Sequence, residues 1–206
     1  MSVQYTETVS LPSSCSASHH WSRDMPDAAL TLLRNIAWLH TTDWLKETPM
    51  ALPSPVDTWL KETSSMTQRL ERHCTQLTVV PYYNGYIATE MLGDEPRELP
   101  HSARYWLREV IIYGDGQPWV AARTLIPPSA LDTSVSALTT LGDTPLGRYL
   151  FKQDSLQRDY IHIGRCENMW ARRSRLRLFN QPILLTELFL PSSPAYHFQG
   201  VERGSR

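Results

Sequence analysis

The sequence has few of the features that mark secreted, membrane-spanning or nucleic-acid-binding proteins. Its 206 residues include only three cysteines, Cys15, Cys74 and Cys166, whose odd number and wide spacing predict neither a disulfide framework nor a zinc site. No apolar run approaches the length of a membrane-spanning helix, and the N-terminus lacks the basic and apolar segments of a secretory signal. The net charge of −1 provides no field that would attract nucleic acid or anionic lipid.

The sequence also lacks the common nucleotide-binding, nucleophile and metal-binding motifs. There is no Walker loop, no dinucleotide-binding glycine loop and no nucleophile elbow. The seven histidines show no recognisable metal-ligand spacing. We therefore expect chemistry that requires neither a nucleotide nor a metal.

The composition is that of an ordinary globular domain, with 41% hydrophobic and 20% charged residues. We predict one domain over residues 25–196, a flexible N-terminal tail over 1–24 and a flexible C-terminal tail over 197–206, because both ends are polar and lack periodicity. Reduced thiols are the simplest state for three widely spaced cysteines. Free thiols are typical of the reducing cytoplasm, so we expect a cytoplasmic protein. We also expect a monomer, and the net charge near zero gives no reason to expect a nucleic-acid partner.

Helical patterns dominate the first part of the domain. Residues 27–39 have apolar residues at helical spacing, which predicts one helix. Ser54-Pro55 is typical of an N-cap followed by proline at the first helical position. Ser65 and Gln68 match a capping box. Further helical segments are predicted over 135–141 and after Thr144-Pro145.

Strand patterns dominate the rest. The hairpin signal Gly114-Asp115-Gly116 joins two β-rich segments, and Asn180-Gln181-Pro182 joins two more. Hairpin-length connections favour antiparallel pairing. We therefore predict an α+β fold in which helices pack on a largely antiparallel sheet of about six strands. The predicted strands are 77–88, 105–113, 119–126, 159–164, 173–179 and 183–190.

Glu187 is the most informative single residue, because it lies in the most apolar segment of the chain, ILLTELFL at 183–190. Strand alternation places it on one face with Leu185 and Phe189. Burial of an unpaired charge is costly, so Glu187 is either paired, protonated or functional. On the pattern alone, a buried structural ion pair and a functional role are equally open.

Arg108 presents the complementary problem. Alternation places it on a strand face with Trp106, Val110 and Ile112, and a guanidinium in such a face requires an anion. The anion is either Glu187, in a structural pair, or a ligand carboxylate. The two predicted helix starts at Met66 and Leu146 favour a ligand, because free backbone N–H groups bind anions. The alternative is that both are merely capped helices, since the sequence alone does not bring their ends together.

The remaining arginines have less specific patterns. Arg173, Arg175 and Arg177 alternate along one strand, which favours a solvated strand face over a basic strip for nucleic acid. Arg123 lies in a mostly apolar strand and is interpreted as a surface or paired arginine, with a second ligand contact as the alternative.

From about residue 30 to Tyr196, the chain resembles the chorismate lyase family of bacterial ubiquinone biosynthesis. The resemblance is carried by long, ordered segments across most of the domain. It departs from the family pattern at Ala122 and at the Asn180-Gln181 turn, where glycine is usual. The matching segments are SARYWLRE at 102–109, WVAART at 119–124, TPLGRYLF at 144–151, IHIG at 161–164, WARRS at 170–174 and LLTELFLP at 184–191.

The resemblance implies a cofactor-independent lyase that converts chorismate to 4-hydroxybenzoate and pyruvate. It implies that Arg108 binds the ring carboxylate, that the backbone N–H groups of Met66 and Leu146 hold the same end, and that Glu187 faces the ring hydroxyl and the departing enolpyruvyl group. Arg108 and Glu187 are thus the expected catalytic residues. The alternative is a non-catalytic domain that senses a small aromatic acid, as in effector-sensing domains of the UTRA type.

Overall fold

The computed structural model describes residues 25–39, 54–131 and 135–197, so the two predicted tails lie outside the described part, except for His197. Its centre is one sheet of seven strands in the order β1-β5-β6-β7-β4-β3-β2, in which every neighbouring pair is antiparallel. The strands are β1 (Ala37–Leu39), β2 (Leu77–Ala88), β3 (Arg104–Gly114), β4 (Gln117–Ile126), β5 (Gln157–Cys166), β6 (Met169–Leu178) and β7 (Gln181–Phe189).

The helices are short and pack on this sheet, so the predicted α+β class is confirmed. Within the described residues, no helix is long and apolar enough to cross a membrane. The α-helices are α1 (Met25–Leu32), α2 (Val56–Leu60), α3 (Met66–Glu71), α4 (Pro128–Leu131) and α5 (Leu146–Leu150). The 3-10 helices are Leu33–Asn35, Thr89–Met91, Glu95–Glu98, Ser136–Thr140 and Pro194–Tyr196.

The seventh strand, β1, corrects the prediction of one helix over 27–39. The helical conformation ends at Asn35, and Ile36 is already extended. β1 then pairs with β5, where Trp38 lies opposite Gly164. A Cβ atom on Gly164 would lie 2.5 Å from the Ile36 side chain and 2.7 Å from that of Trp38. The missing side chain at Gly164 therefore makes room for this strand, a contact that helical periodicity cannot indicate.

The predicted helix starts have mixed outcomes. The Ser65 side chain accepts a hydrogen bond from the Gln68 backbone N–H at 3.3 Å, which confirms the cap of α3. The cap predicted at Ser54 is wrong, because Pro55 occupies the N-cap of α2 and no side chain caps that helix. The helix predicted after Thr144-Pro145 is confirmed, because α5 begins at Leu146, although no side chain caps it.

The two faces of the sheet carry different structures. On one face, α1 covers a core that includes Leu30, Ile111 and Leu188. Arg123 is buried on this side, where its Nη1 donates to Glu109 Oε1 at 2.8 Å and its Nε lies 2.9 Å from Glu95 Oε2. The interpretation of Arg123 as a paired residue is therefore confirmed.

The same network corrects the prediction of a solvated strand face for Arg173. Its side chain is 3% exposed and donates to Asp94 and Glu98 at 3.0 and 2.9 Å. Arg175 and Arg177 are more exposed and lie near Asp159. Strand alternation grouped the three arginines correctly, but the acidic residues that cover Arg173 come from the distant 3-10 segment.

Candidate functional site

The opposite face of the sheet forms the floor of a pocket that α3 and α5 cover. The empty space in and around this pocket is about 500 Å³, a volume that includes solvent at its mouth. Most of its wall is apolar, and its charged side chains come from the middles of strands or, for Arg158, from the start of β5. The lining residues are Met66, Thr67, Val79, Arg108, Val110, Ile112, Ala122, Thr124, Pro145, Leu146, Gly147, Leu150, Phe151, Arg158, Arg172, Leu185 and Glu187.

Strand register arranges the floor in two parallel rows. Arg108 lies opposite Thr124, which lies opposite Leu185, which lies opposite Ser174. The neighbouring row contains Val110, Ala122, Glu187 and Arg172 in the same strand order. Antiparallel alternation puts every residue of both rows on the same face, so polar groups from four strands meet over one floor.

Arg108 is 4% exposed and forms no salt bridge with a carboxylate in the described part of the chain. Its Nη2 atom donates to the carbonyl oxygens of Gly142 and Thr144 at 2.9 and 3.1 Å. Burial lowers the pKa of this guanidinium, since no anion compensates the lost hydration. The hypothesis that Arg108 and Glu187 pair directly is therefore wrong, and the charge of Arg108 remains available to an anionic ligand.

Glu187 is paired, but with a residue that the sequence analysis did not select. Arg172 Nε donates to Glu187 Oε2 at 2.6 Å, and both side chains are at most 5% exposed. Arg172 Nη1 also donates to the Glu62 carbonyl at 2.7 Å. The buried ion pair and the functional role are thus compatible, because both charges still line the pocket. Alternation in β6 would have identified Arg172 as inward-facing, but not its partner.

The first turns of α3 and α5 meet at Gly147. A Cβ atom at this position would lie 2.4 Å from Thr67 Oγ1 and 3.0 Å from Ser65 Oγ. Only a glycine therefore allows the two helix starts to approach this closely. Met66 and Leu146 both line the pocket as a result, a juxtaposition that the two separate sequence patterns could not establish.

Arg158, in β5, is a pocket residue that the sequence analysis missed altogether. Its Nη1 donates to Ser174 Oγ, and its guanidinium carbon lies 6.0 Å from the centre of the Phe151 ring. Within the described residues, it forms no salt bridge with a carboxylate. Burial, and secondarily the charge of Arg172, lower the pKa of Arg158. The residues around it are polar, so no alternation of apolar residues indicated that Arg158 faces the pocket.

The charges of the pocket suit a small dianion. Arg172 and Glu187 neutralise each other, while Arg108 and Arg158 contribute two positive charges without carboxylate partners among the described residues. Metal binding has no comparable support, since no group of three or more potential His, Cys, Asp or Glu ligands occurs in the described ranges.

Comparison with known proteins agrees with this geometry. Residues 32–201 match the family model described as "Chorismate lyase". The chain is 55% identical to the chorismate pyruvate-lyase of Pectobacterium atrosepticum, over 86% of this chain and 97% of that protein. It is 53% identical to that of Serratia proteamaculans, over 75% of this chain and 88% of that protein.

Among experimental structures, the effector domain of PhnF from Mycobacterium smegmatis is similar with a TM-score of 0.46 and 11% identity, covering 63% of this chain and 90% of that one. This remote likeness carries no functional information. The family match and the identity with full-length relatives are decisive, and this chain belongs to the chorismate lyase family.

Proposed function

We propose that this protein converts chorismate to 4-hydroxybenzoate and pyruvate, the first committed step of ubiquinone biosynthesis. The observation that carries the proposal is the guanidinium of Arg108, which has no carboxylate partner among the described residues and lines the same largely apolar pocket as Glu187. Family membership and the names of the curated relatives support the same reaction.

In this proposal, Arg108 binds the ring carboxylate of chorismate through charge-assisted hydrogen bonds. The first-turn N–H groups of α3 and α5 have no carbonyl partners within their own helices, so those of Met66 and Leu146 are suited to the same carboxylate. The carbonyl oxygens of Gly142 and Thr144 orient the guanidinium before substrate arrives. Little reorganisation is then needed on binding.

Glu187 faces the opposite end of the ring, where the hydroxyl and the enolpyruvyl ether lie. Its Oε2 atom accepts the bond from Arg172, and its second carboxylate oxygen can accept a hydrogen bond from the substrate hydroxyl. The pairing with Arg172 favours this acceptor role over that of an isolated proton donor. During the reaction the ring–oxygen bond of the ether breaks and the ring carbon bearing the hydroxyl loses its hydrogen. The leaving group gains a hydrogen to become pyruvate.

The reaction makes the ring aromatic, which supplies a large driving force. The protein therefore needs mainly to orient the substrate and to stabilise charge, and the atoms balance without an added oxidant or reductant. We propose that no cofactor takes part, in agreement with a pocket whose polar groups are arginines, a glutamate and threonines.

We also propose that the protein acts as a cytoplasmic monomer without nucleic-acid partners. The net charge of −1 offers no attraction for nucleic acid. Light scattering of the purified protein tests the monomer, and a mass of two chains would contradict it.

The reaction is tested by incubating purified protein with chorismate and measuring 4-hydroxybenzoate by absorbance and pyruvate by a coupled assay. We expect equal amounts of the two products. Binding of 4-hydroxybenzoate without turnover of chorismate would instead support a sensing domain.

The role of Arg108 is tested with Arg108→Ala. Loss of a charge-assisted contact to the ring carboxylate should weaken 4-hydroxybenzoate binding by about 10- to 100-fold, because the product retains that carboxylate. Calorimetric titration measures the dissociation constant. Arg104→Ala is the control, since this exposed arginine lies on the same strand and outside the pocket. Unchanged product affinity in Arg108→Ala would contradict the assignment.

A further inference from the structure

The roles proposed above leave one pocket arginine unused, and chorismate has one carboxylate without a partner. We infer that Arg158 binds the carboxylate of the enolpyruvyl side chain and positions the leaving group. This inference rests on the proposed function, because it assigns the second anionic group of that substrate.

The location of Arg158 supports the assignment. Ser174, which accepts its hydrogen bond, lies in the floor row that begins with Arg108. Three inter-strand steps separate Arg108 from Ser174, which corresponds to about 14 Å between their backbones. The two guanidiniums therefore enter the pocket from opposite sides. A ligand whose ring carboxylate is held by Arg108 directs its other end toward Arg158.

Among the described residues, Arg158 forms no salt bridge, and the charges of Glu187 and Glu62 offset its burial only in part. Ser174 provides a neutral acceptor, and the carboxylate of Glu187 is already engaged by Arg172. A second guanidinium beside this ion pair gives the leaving-group side of the pocket a net positive charge. An incoming carboxylate would neutralise it, which favours the dianionic substrate over the monoanionic aromatic product.

The chemistry gives this position a consequence for turnover. When the ring–oxygen bond breaks, the electron pair goes to the oxygen of the departing three-carbon unit, which already carries a carboxylate. A fixed guanidinium beside that unit stabilises the added negative charge and restricts its rotation. Arg158 keeps its proton throughout, so it acts as a positioning and charge-stabilising group.

The test separates substrate from product. Arg158→Gln should lower kcat/KM for chorismate by about 10- to 100-fold and change the dissociation constant of 4-hydroxybenzoate less than about threefold, because the product lacks the second carboxylate. Arg108→Gln should weaken both ligands. Arg177→Gln is the matched control, since this partly exposed arginine pairs with Asp159 outside the pocket, and it should leave both constants within about twofold of the wild type.

Two results would overturn the inference: retention of chorismate kcat/KM in Arg158→Gln, or an equal loss of affinity for substrate and product. If the glutamine variant does not fold, the same constants are measured for Arg158→Lys. Its shorter ammonium group should raise KM for chorismate about tenfold and leave product affinity unchanged, and any other pattern rejects the role. Failure of the wild type to form 4-hydroxybenzoate would instead reject the proposed function itself.

Discussion

Arg108 and Glu187 lie on the same buried sheet face, and each satisfies its charge differently. Glu187 has a protein partner in Arg172, whereas Arg108 has only carbonyl oxygens. A buried ion pair can persist in an empty pocket, but a buried cation without an anion is poised for an anionic ligand. The difference explains why the ring carboxylate is assigned to Arg108 and the neutral hydroxyl to Glu187.

Glu187→Gln is expected to lower kcat by about 100-fold or more while weakening 4-hydroxybenzoate binding by less than about tenfold. The amide can still accept a hydrogen bond, but it lacks the negative charge that responds to the reacting hydroxyl. Single-turnover kinetics and product titration measure the two effects. Near-normal kcat would contradict a catalytic role for this carboxylate.

The same substitution leaves Arg172 as an unpaired buried charge and should cost about 3–5 kcal/mol of unfolding free energy. The double variant Glu187→Gln, Arg172→Met is therefore the control. It should recover much of the stability, as measured by urea unfolding, without recovering activity.

At the scale of elements, the contact between the first turns of α3 and α5 closes the pocket. Gly147 allows this contact because a Cβ atom would overlap Thr67 Oγ1. The Ser65 side chain caps α3. Arg108 donates hydrogen bonds to the Gly142 and Thr144 carbonyls in the loop that precedes α5. The starts of both helices are thus held beside the pocket by contacts with each other and with the sheet.

Gly147→Ala should separate the two helix starts, cost about 1–3 kcal/mol of unfolding free energy and raise the dissociation constant of 4-hydroxybenzoate. Gly93→Ala is the matched control, because a Cβ atom there meets no atom within 4 Å. Urea unfolding and calorimetric titration report the two effects. Equal unfolding free energies and equal dissociation constants in the two variants would show that the close approach at Gly147 affects neither stability nor binding.

The β6–β7 turn contains a conformational strain that can be removed. Phe179 and Asn180 have φ values of 51° and 63°, and Phe179 is 43% exposed. Two residues with positive φ form the hairpin turn for which Asn-Gly is preferred. Replacement of Phe179-Asn180 by Asn-Gly should therefore raise the unfolding free energy by about 1 kcal/mol.

Thermal unfolding measures this gain, and Phe179→Ala serves as the control because it removes the exposed ring without relieving the backbone. An equal gain from Phe179→Ala would assign the effect to the ring.

At the scale of the whole molecule, the central strands β3, β4, β6 and β7 are largely buried on both faces, and the charges on the two faces have different partners. The pocket face keeps two arginines without carboxylate partners in the described chain, whereas the other face pairs Arg123 and Arg173 with acidic residues. In the proposed function, the first arrangement receives the anionic ligand, whereas the second holds the 3-10 segment at Glu95–Glu98 against the sheet.

Asp94 and Glu95, two neighbouring acids on that second face, should contribute to the unfolding free energy with opposite pH dependence. Burial raises the pKa of Glu95. Burial also acts to raise the pKa of Asp94, but the hydrogen bonds and charge of Arg173 outweigh it and lower the pKa. A carboxyl group whose pKa is lowered on folding stabilises the protein at pH values above its unfolded pKa. This contribution is lost as the pH falls through the folded pKa. A raised pKa reduces stability as the pH rises.

Asp94→Asn should therefore cost more unfolding free energy near pH 6 than near pH 3, by up to about 1 kcal/mol for this half-exposed group. Glu95→Gln should instead cost less unfolding free energy near pH 6 than near pH 3, because the ionised form of Glu95 is the one that burial disfavours. Urea unfolding at both pH values provides the measurement, with the wild type as reference. Parallel trends in the two variants would contradict the opposite shifts.

Much of this protein could be predicted without coordinates because its signals are local. Alternation and turn residues identified six of the seven strands, and the cap at Ser65 located α3. Each of these depends on residues that are close in sequence. The long ordered segments around Arg108 and Glu187 indicated the family, and the family match confirmed it.

Only the tertiary structure decided which charges meet. The order of strands in the sheet places Arg172 beside Glu187, brings Arg158 over Ser174 and leaves Arg108 with carbonyl oxygens. It also turned the end of the predicted first helix into β1, because Gly164 leaves space for Trp38. Local patterns determine which face of a strand a residue occupies, whereas strand order and long-range packing determine its partner across that face.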